Sequence, residues 1–230
     1  MIETLNYEES VATAPAGWRH FTHADIARLP AGVRERELAR IPPGESGDRI
    51  LRALFWTLVY HLEPDKWDEL ARSEPIHPDI LAALPRHATT ALDVGAGSGR
   101  LTEHLVARSN EVTAVEPSAR LRAILEKRLP SVRAIDGWAE SLPIADGWSQ
   151  LTAACGALGP EPQVLSELRR VTAHGGWIAL ISPEQPEWFE ANGWKRVTAR
   201  ATAAPPHAAW LDEFFGPLDP PRELVVLRAG

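Results

Sequence analysis

The first 76 residues carry apolar side chains at helical spacing, interrupted by prolines, and contain no run that reads as a strand. Residues 47–62, GDRILRALFWTLVYHL, repeat apolar positions at three- and one-residue steps, which predicts one continuous apolar stripe on a helix. Further helices are predicted from Pro64 to Ser73 and over 23–40, the latter broken at Pro30 and Gly32. Because a helix with one apolar stripe must cover another surface, residues 1–76 are expected to form a helical cap.

From Ile80 onward, short apolar runs alternate with amphipathic stretches. Strands are predicted at 89–94, 111–115, 132–135, 150–155, 176–182, 194–203 and 223–228. Helices are predicted at 99–108, 118–129, 161–172 and 186–191, and the third of them is expected to close in the turn at 174–176. This alternation predicts a parallel sheet covered on both faces, with the last two strands pairing antiparallel at its edge.

Composition narrows the class of protein. The chain is 44% hydrophobic and 24% charged, which is typical of a globular protein, and its single cysteine can form no internal disulfide and offers no metal-site spacing. No apolar stretch is long enough to cross a bilayer and the N-terminus lacks a signal pattern, so we expect a cytoplasmic protein without a membrane partner. The 24 basic and 31 acidic residues give a net charge of −7 without a basic cluster, which argues against a nucleic-acid partner.

A glycine-rich segment, LDVGAGSGR at residues 92–100, lies where a predicted strand ends and a helix begins. Glycines there allow a sharp turn and a close approach of the backbone to a ligand. The spacing is G-x-G-x-G, whereas the dinucleotide fingerprint would need a glycine at the position of Arg100. Asp93 would repel a diphosphate but could interact, directly or through water, with a cationic ligand. The alternative for Asp93 is a cap on the amides of the loop.

A second carboxylate, Glu116, follows Gly95 by twenty-one residues and lies at the end of the next predicted strand. A carboxylate at that place can accept both hydroxyl groups of a ribose, whichever nucleoside-containing cofactor is bound. The alternative is an ordinary exposed acid in a loop. Its position relative to the glycine loop favours the binding role.

These segments resemble class I S-adenosylmethionine-dependent methyltransferases, particularly the broad methyltransferase type 11 group. LDVGAGSGR and VTAVEPSARL are similar to the first two family motifs, GWAESLP at 137–143 to the third, and residues 164–183 to the helix, glycine turn and fifth strand. The resemblance covers roughly 80–203. It implies a Rossmann-like α/β fold with a seven-stranded, mostly parallel sheet, a reversed last strand and helices on both faces. The core would span 77–230, behind the cap at 1–76.

The resemblance also implies the cofactor, S-adenosyl-L-methionine, and the residues that would bind it. They are Asp93, Gly95, Ala96, Gly97, Gly99, Arg100, Glu116, Pro117, Trp138, Ala139 and Cys155. Two positions depart from the family pattern. The frequent acid of the third region is Trp138, which could stack on the adenine or pack outside the pocket, leaving the adenine contact to Ala139, Asp136 or Glu140. The acid often found near the start of the fourth strand is Gln150, so a relative that does not bind the cofactor is conceivable.

The leading functional hypothesis is methyl transfer to an oxygen or nitrogen nucleophile of a small molecule, by a monomer or homodimer. No Asn/Asp-Pro-Pro-Tyr sequence and no Pro-Cys pair is present, which argues against adenine, glutamine and cytosine-C5 targets. The family has no universal catalytic residue; His20, His23 and His61 are weak candidates for a general base. The alternatives are an inactive cofactor-binding protein and a nicotinamide-dependent oxidoreductase, the latter disfavoured because the chain has no Tyr-x-x-x-Lys pair.

The apolar aromatics of the cap and of the loop at 204–221 suit an apolar or aromatic acceptor, or else pack between cap and core. Within the cap, we expect residues 47–62 to dock permanently on the core. Residues 1–41 are expected to form a looser lid, with Trp18, His20 and Phe21 facing the acceptor.

Overall fold

A computed structural model describes residues 21–199 and 221–228, and the chain divides between Ser73 and Glu74 into two compact units. No helix among these described residues combines the length and the apolarity needed to cross a membrane.

The first unit contains four described helices. They are α1 (His23–Ile26), α2 (Ala31–Ala39), α3 (Gly47–Leu62) and α4 (Pro64–Ser73). The apolar stripe predicted for α3 is buried, and it forms a core with Phe21, Ile26 and Leu29. The prediction that Gly32 breaks a helix was wrong, since Gly32 lies inside α2. A glycine in a helix costs only about 1 kcal/mol, whereas Pro30, which cannot continue a helix, does separate α1 from α2.

Aromatic side chains of α3 and α4 pack against one another within this unit. The rings of Tyr60 and Trp67 meet edge to face with their centroids 4.8 Å apart, and Trp56 stacks on Tyr60 at 6.0 Å. These distances are those of direct ring contacts, so the three rings leave no room for a ligand between them. Their role in the described structure is packing.

The second unit contains a seven-stranded sheet. Its strands are β1 (Ala88–Val94), β2 (Ser109–Val115), β3 (Arg133–Ile135), β4 (Ser149–Cys155), β5 (Thr172–Ile181), β6 (Lys195–Thr198) and β7 (Glu223–Arg228). The spatial order is β3-β2-β1-β4-β5-β7-β6, and β7 runs antiparallel to both of its neighbours while the other pairs are parallel. The predicted α/β fold with a reversed last strand is therefore confirmed.

Helices cover both faces of this sheet. They are α5 (Pro78–Ala83), α6 (Thr102–Val106), α7 (Ala119–Arg128), α8 (Pro162–Val171) and α9 (Pro186–Ala191). One buried cluster joins the sheet to side chains of α5, α6 and α7, and a second joins it to α8 and α9. The sequence did not predict α5, a single short element that begins at a proline.

The segment after α8 differs from its prediction. The helix was expected to extend to residue 172 and to close in a turn at 174–176, but Thr172 already pairs with Ser149, and β5 therefore begins there. The register shifts between this pair and Leu151, which pairs with Trp177. A bulge thus accommodates the glycines at 175 and 176 within the strand.

The strand order determines where a ligand can bind. The chain leaves β1 toward β2 on one side and enters β4 on the other side, so β1 and β4 are neighbours at the point where the order reverses. Open parallel sheets bind ligands outside the carboxyl ends of the strands at such a point. The glycine-rich segment follows β1 at that edge.

The first unit offers a test of its core. Leu58 on α3 is completely buried, whereas Leu38 on α2 is 37% exposed. We expect Leu58→Ala to lower the free energy of unfolding by about 2–5 kcal/mol, because it leaves a cavity. Leu38→Ala, the matched control, should change it by about 0.5 kcal/mol or less. Urea unfolding of the full chain measures both, and similar losses for the two variants would contradict the assigned core.

Candidate cofactor site

The glycine loop, residues 95–99, turns sharply after β1. Gly95 has φ +71°, and a Cβ atom there would lie 2.6 Å from the Cβ of Ala157, which is too close for any side chain. Gly99 has φ +101°, and a Cβ atom there would lie 3.3 Å from the side chain of Leu125 on α7. The amides of Gly95 and Ala96 both donate to the carbonyl oxygen of Val115, at 2.9 and 3.1 Å, and so tie the loop to the end of β2.

Glu116, directly after β2, is 5% exposed and holds two backbone amides. Its Oε2 accepts from the amide of Gly97 at 2.9 Å, and its Oε1 accepts from the amide of Ser118 at 2.8 Å. Burial raises the pKa of Glu116, while these two hydrogen bonds act in the opposite direction. Because each carboxylate oxygen has two lone pairs, both can still accept a hydroxyl group.

Asp93, inside β1, is 1% exposed. Its Oδ2 accepts a hydrogen bond from the hydroxyl group of Thr102 at 2.6 Å, and its Oδ1 has no hydrogen-bond partner among the described residues. Burial raises the pKa of Asp93 to about 7, and the bond from Thr102 acts against that rise. The alternative role of a loop cap thus belongs to Glu116 rather than to Asp93.

Arg100 follows the glycine loop, and its side chain is 13% exposed. Its Nη1 lies 3.4 Å from Oε2 of the buried Glu74, and its Nη2 would lie 3.5 Å from a Cβ atom placed on Gly156. The guanidinium group therefore reaches from the end of β1 to the end of β4. Burial raises the pKa of the Cys155 thiol, and the neighbouring guanidinium group lowers it.

The third region, at 137–143, forms a tight turn beside β2. Trp138 is half-buried and makes an isolated bridge with Ser141, whose amide donates to the carbonyl oxygen of Trp138 at 3.0 Å. Ala139 packs against the second buried cluster of the sheet. The carboxylate of Asp136 forms an ion pair with Arg122 at 2.7 Å. Because that acid already has a cation as its partner, Ala139 and Trp138 are the stronger candidates for an adenine contact.

Gln150 lies at the opposite edge of the sheet from the glycine loop. Its Oε1 accepts a hydrogen bond from the amide of Thr89 at 2.7 Å, where β1 and β4 begin. An acid at position 150 would therefore be remote from Asp93 and Glu116. The presence of glutamine instead of an acid at position 150 therefore does not affect ligand binding at the carboxyl edge of the sheet.

The candidate bases lie elsewhere in the chain. His23 is exposed on α1 and His61 is buried on α3, both in the first unit. His20 and Trp18 lie outside the described residues, as does nearly all of the loop at 204–221. Of the predicted binding residues not yet placed, Pro117 is half-buried after Glu116. Within residues 21–199 and 221–228, no cluster of three or more His, Cys, Asp or Glu side chains could hold a metal ion.

Two residues of this edge were missed from the sequence. Thr102 could have been suspected, because a hydroxyl in the first turn after a glycine loop points back toward the strand end. Glu74 carried no signal, since it precedes Arg100 by twenty-six residues and lies in no motif.

Comparison with known proteins also indicates which family the sheet unit resembles. A family model described as a methyltransferase domain matches residues 91–176. An uncharacterized methyltransferase of Mycobacterium tuberculosis is 33% identical over 129 residues, which cover 54% of this chain and 52% of that protein. The malonyl-[acyl-carrier protein] O-methyltransferase of Pectobacterium atrosepticum is 30% identical over 154 residues, which cover 63% of this chain and 59% of that enzyme. The chain thus spans little more than half the length of these relatives.

Solved structures agree at the level of the fold. The crystal structure of a SAM-dependent methyltransferase from Aquifex aeolicus aligns with a TM-score of 0.50 at 17% identity, and covers 73% of this chain and 97% of its own. At that identity, the similarity shows a shared fold. The alignment leaves about a quarter of this chain unmatched.

The raised pKa of Asp93 predicts a pH-dependent stability. Between the ordinary value of 3.8 and about 7, the folded protein keeps a proton that the unfolded chain has released. Stability from this group is therefore lost as the pH rises through that interval, by at most about 1.4 kcal/mol per pH unit. Urea unfolding of the wild type and Asp93→Asn between about pH 5 and pH 8 measures this. The wild type should lose stability relative to the variant as pH rises, and parallel curves would contradict the assignment.

Proposed function

Because this chain belongs to the class I S-adenosylmethionine-dependent methyltransferases, we propose that it transfers the methyl group of S-adenosylmethionine to a small-molecule acceptor. The nucleophile would be an oxygen or nitrogen atom.

One observation carries the proposal: two buried carboxylates flank the glycine loop at the reversal point of the sheet. Glu116 keeps lone pairs for two ribose hydroxyl groups, and Asp93 has one oxygen without a partner among the described residues. A ligand that combines a ribose with positive charge satisfies both groups. S-adenosylmethionine has that combination, whereas the diphosphate of a dinucleotide would place negative charge beside Asp93.

S-adenosylmethionine supplies a methyl carbon that its positive sulfur has already activated for in-line displacement. The chain's own residues have to bind the cofactor and the acceptor, orient them, and exclude water from the site. Glu116 would hold the ribose, and the loop amides beside it would define the position of the nucleoside. The buried charge of Asp93 would favour the cationic end of the ligand.

Net charge and one relative indicate the class of acceptor. A net charge of −7 argues against a nucleic-acid acceptor, and the Pectobacterium relative methylates a malonyl group according to its name. We propose residues 1–76 as the cap of the core at 77–230, with His20, His23 and His61 as candidate bases. We also propose that the protein acts as a cytoplasmic monomer or homodimer.

Turnover is the direct test. The protein is incubated with S-adenosylmethionine and a panel of phenols, carboxylic acids and amines, and S-adenosylhomocysteine is quantified against reactions without acceptor. Acceptor-dependent product supports the proposal. If the cofactor binds but no panel member and no cell-extract fraction of small molecules stimulates product, the chain is a binding protein that does not catalyse transfer.

Ligand choice is tested separately by thermal unfolding. At about a hundredfold excess over its dissociation constant, S-adenosylhomocysteine should stabilise the protein by about 2.7 kcal/mol. NAD at the same concentration should leave the unfolding temperature unchanged. Stabilisation by NAD alone would contradict the proposed function.

Glu116→Gln tests the ribose contact. We expect the variant to bind S-adenosylhomocysteine about ten- to a hundredfold more weakly, because it loses charge-assisted hydrogen bonds. It should also unfold more easily than wild type, since one loop amide would then face an amide donor. The control is Glu111→Gln, an exposed acid on β2, the strand that precedes Glu116. Isothermal titration measures both affinities, and equal affinities would remove Glu116 from the site.

A further inference from the structure

Polar side chains on one face of α8 hold the segment that includes the third region. Gln163, Glu167 and Arg170 follow one another at steps of four and three residues, so they form one row along the helix. Five hydrogen bonds join this row to residues 140–146. The segment between β3 and β4 is therefore attached to a helix as well as to the sheet.

Arg170 makes most of these contacts. Its guanidinium group donates to the carbonyl oxygens of Leu142 at 2.9 Å and Ile144 at 2.8 Å, and to the carboxylate of Asp146 at 2.7 Å. Two further bonds, both 2.7 Å long, join it to Glu167. All five N–H donors of the fork are thus used. A lysine keeps the charge but cannot reproduce this planar set of donors.

Glu167 and Gln163 hold the part of the segment that lies closer to the turn. Oε2 of Glu167 accepts from the amide of Leu142 at 2.7 Å, and Nε2 of Gln163 donates to the carbonyl oxygen of Glu140 at 3.1 Å. The hydrogen bonds from Arg170 lower the pKa of Glu167 and so favour its ionised form. An ionised carboxylate is the stronger acceptor for both of its partners.

The other end of the segment is fixed at β2. A Cβ atom on Gly137 would lie 2.9 Å from Cγ1 of Val115 and 2.7 Å from Cδ of Pro143, so the backbone packs directly against the strand end that precedes Glu116. Between these two attachments lies the turn at 138–141. Its distance from Glu116 is therefore determined by α8 together with β2.

We propose that Arg170 and Glu167 are positioning residues for recognition of the base. Through residues 140–146 they fix the turn of Trp138 and Ala139 against the base of the bound nucleoside. This inference rests on the proposed function and on the proposed contact between that turn and adenine. It assigns discrimination between bases in part to two side chains that make no proposed contact with the ligand.

The test compares two ligands that differ only in the base. In S-inosylhomocysteine an oxo group replaces the amino group of adenine, and N1 becomes a donor instead of an acceptor. Competition isothermal titration measures both ligands on the full chain, for the wild type, Arg170→Lys and Glu167→Gln. The control is Arg169→Lys, because Arg169 is the exposed neighbour on the same helix.

The wild type and Arg169→Lys should bind S-adenosylhomocysteine about tenfold more tightly than S-inosylhomocysteine, because a misplaced donor leaves a polar group unpaired. Arg170→Lys and Glu167→Gln should weaken S-adenosylhomocysteine by about five- to tenfold and S-inosylhomocysteine by less. The ratio of the two affinities should therefore fall toward one. A contact that only stabilises the fold would leave this ratio unchanged.

Hydrogen exchange of the ligand-free protein tests the path through the turn. The amide of Ser141 donates to the carbonyl oxygen of Trp138 at 3.0 Å. In Arg170→Lys and Glu167→Gln this amide should exchange about tenfold faster than in the wild type, because its turn has lost an attachment. Amides in the centre of β5 should exchange as before, which shows that the variants are folded.

Gln163→Ala keeps the test available if the other two variants do not fold. It removes one hydrogen bond at an exposed position of α8, and it should lower the ratio of affinities by about two- to threefold.

The outcomes separate this inference from the proposed function. If the wild type fails to bind S-adenosylhomocysteine, the proposed function fails. The inference on α8 is wrong, and the proposed function stands, if the wild type binds both ligands equally. The same conclusion follows if the folded α8 variants keep the ratio of Arg169→Lys or leave the exchange of the Ser141 amide unchanged.

Discussion

The burial of two carboxylates at adjacent strand ends is the constraint on which the site depends. A carboxylate out of water is costly unless donors compensate for it. The chain compensates Glu116 with two loop amides, and Asp93 with one hydroxyl group. The compensation of Asp93 is incomplete, which is why burial raises its pKa to about 7. A cationic ligand would complete it and would thereby reduce the cost of burying Asp93.

The shape of the glycine loop follows from this arrangement. The Glu116 carboxylate and the Val115 carbonyl oxygen draw four backbone amides together, three of them from residues 95–97. A chain that folds back so closely on a strand end needs positive φ angles and no side chain at Gly95, where Ala157 leaves no space. The proposed binding residue Glu116 and the geometry of the loop are therefore one structural unit, and a substitution in either is expected to affect the other.

The carboxyl edge of the sheet also carries buried charges of both signs. Two acids and one buried arginine meet where the strand order reverses, and the arginine is paired with Glu74 from a segment outside the motifs. Opposite charges at one edge of the sheet would orient a ligand that carries both signs, as well as attract it. Such an arrangement suits a reaction whose catalysis consists mainly of positioning.

Local patterns in the sequence determined the position of several helices and strands and of two candidate site residues. The bounds of α3 and β7 agree with the predicted runs at 47–62 and 223–228, because the pattern of apolar residues that indicates an element lies within that element. Asp93 and Glu116 could be singled out for the same reason, since each lies at a fixed offset from a strand end. Only the tertiary structure decided which atoms meet. It gave the loop cap to Glu116, paired Asp93 with Thr102, placed Gln150 at the far edge and brought Glu74 to Arg100. These contacts join residues between 9 and 61 positions apart, and strand order and register, which no local pattern records, set their distances.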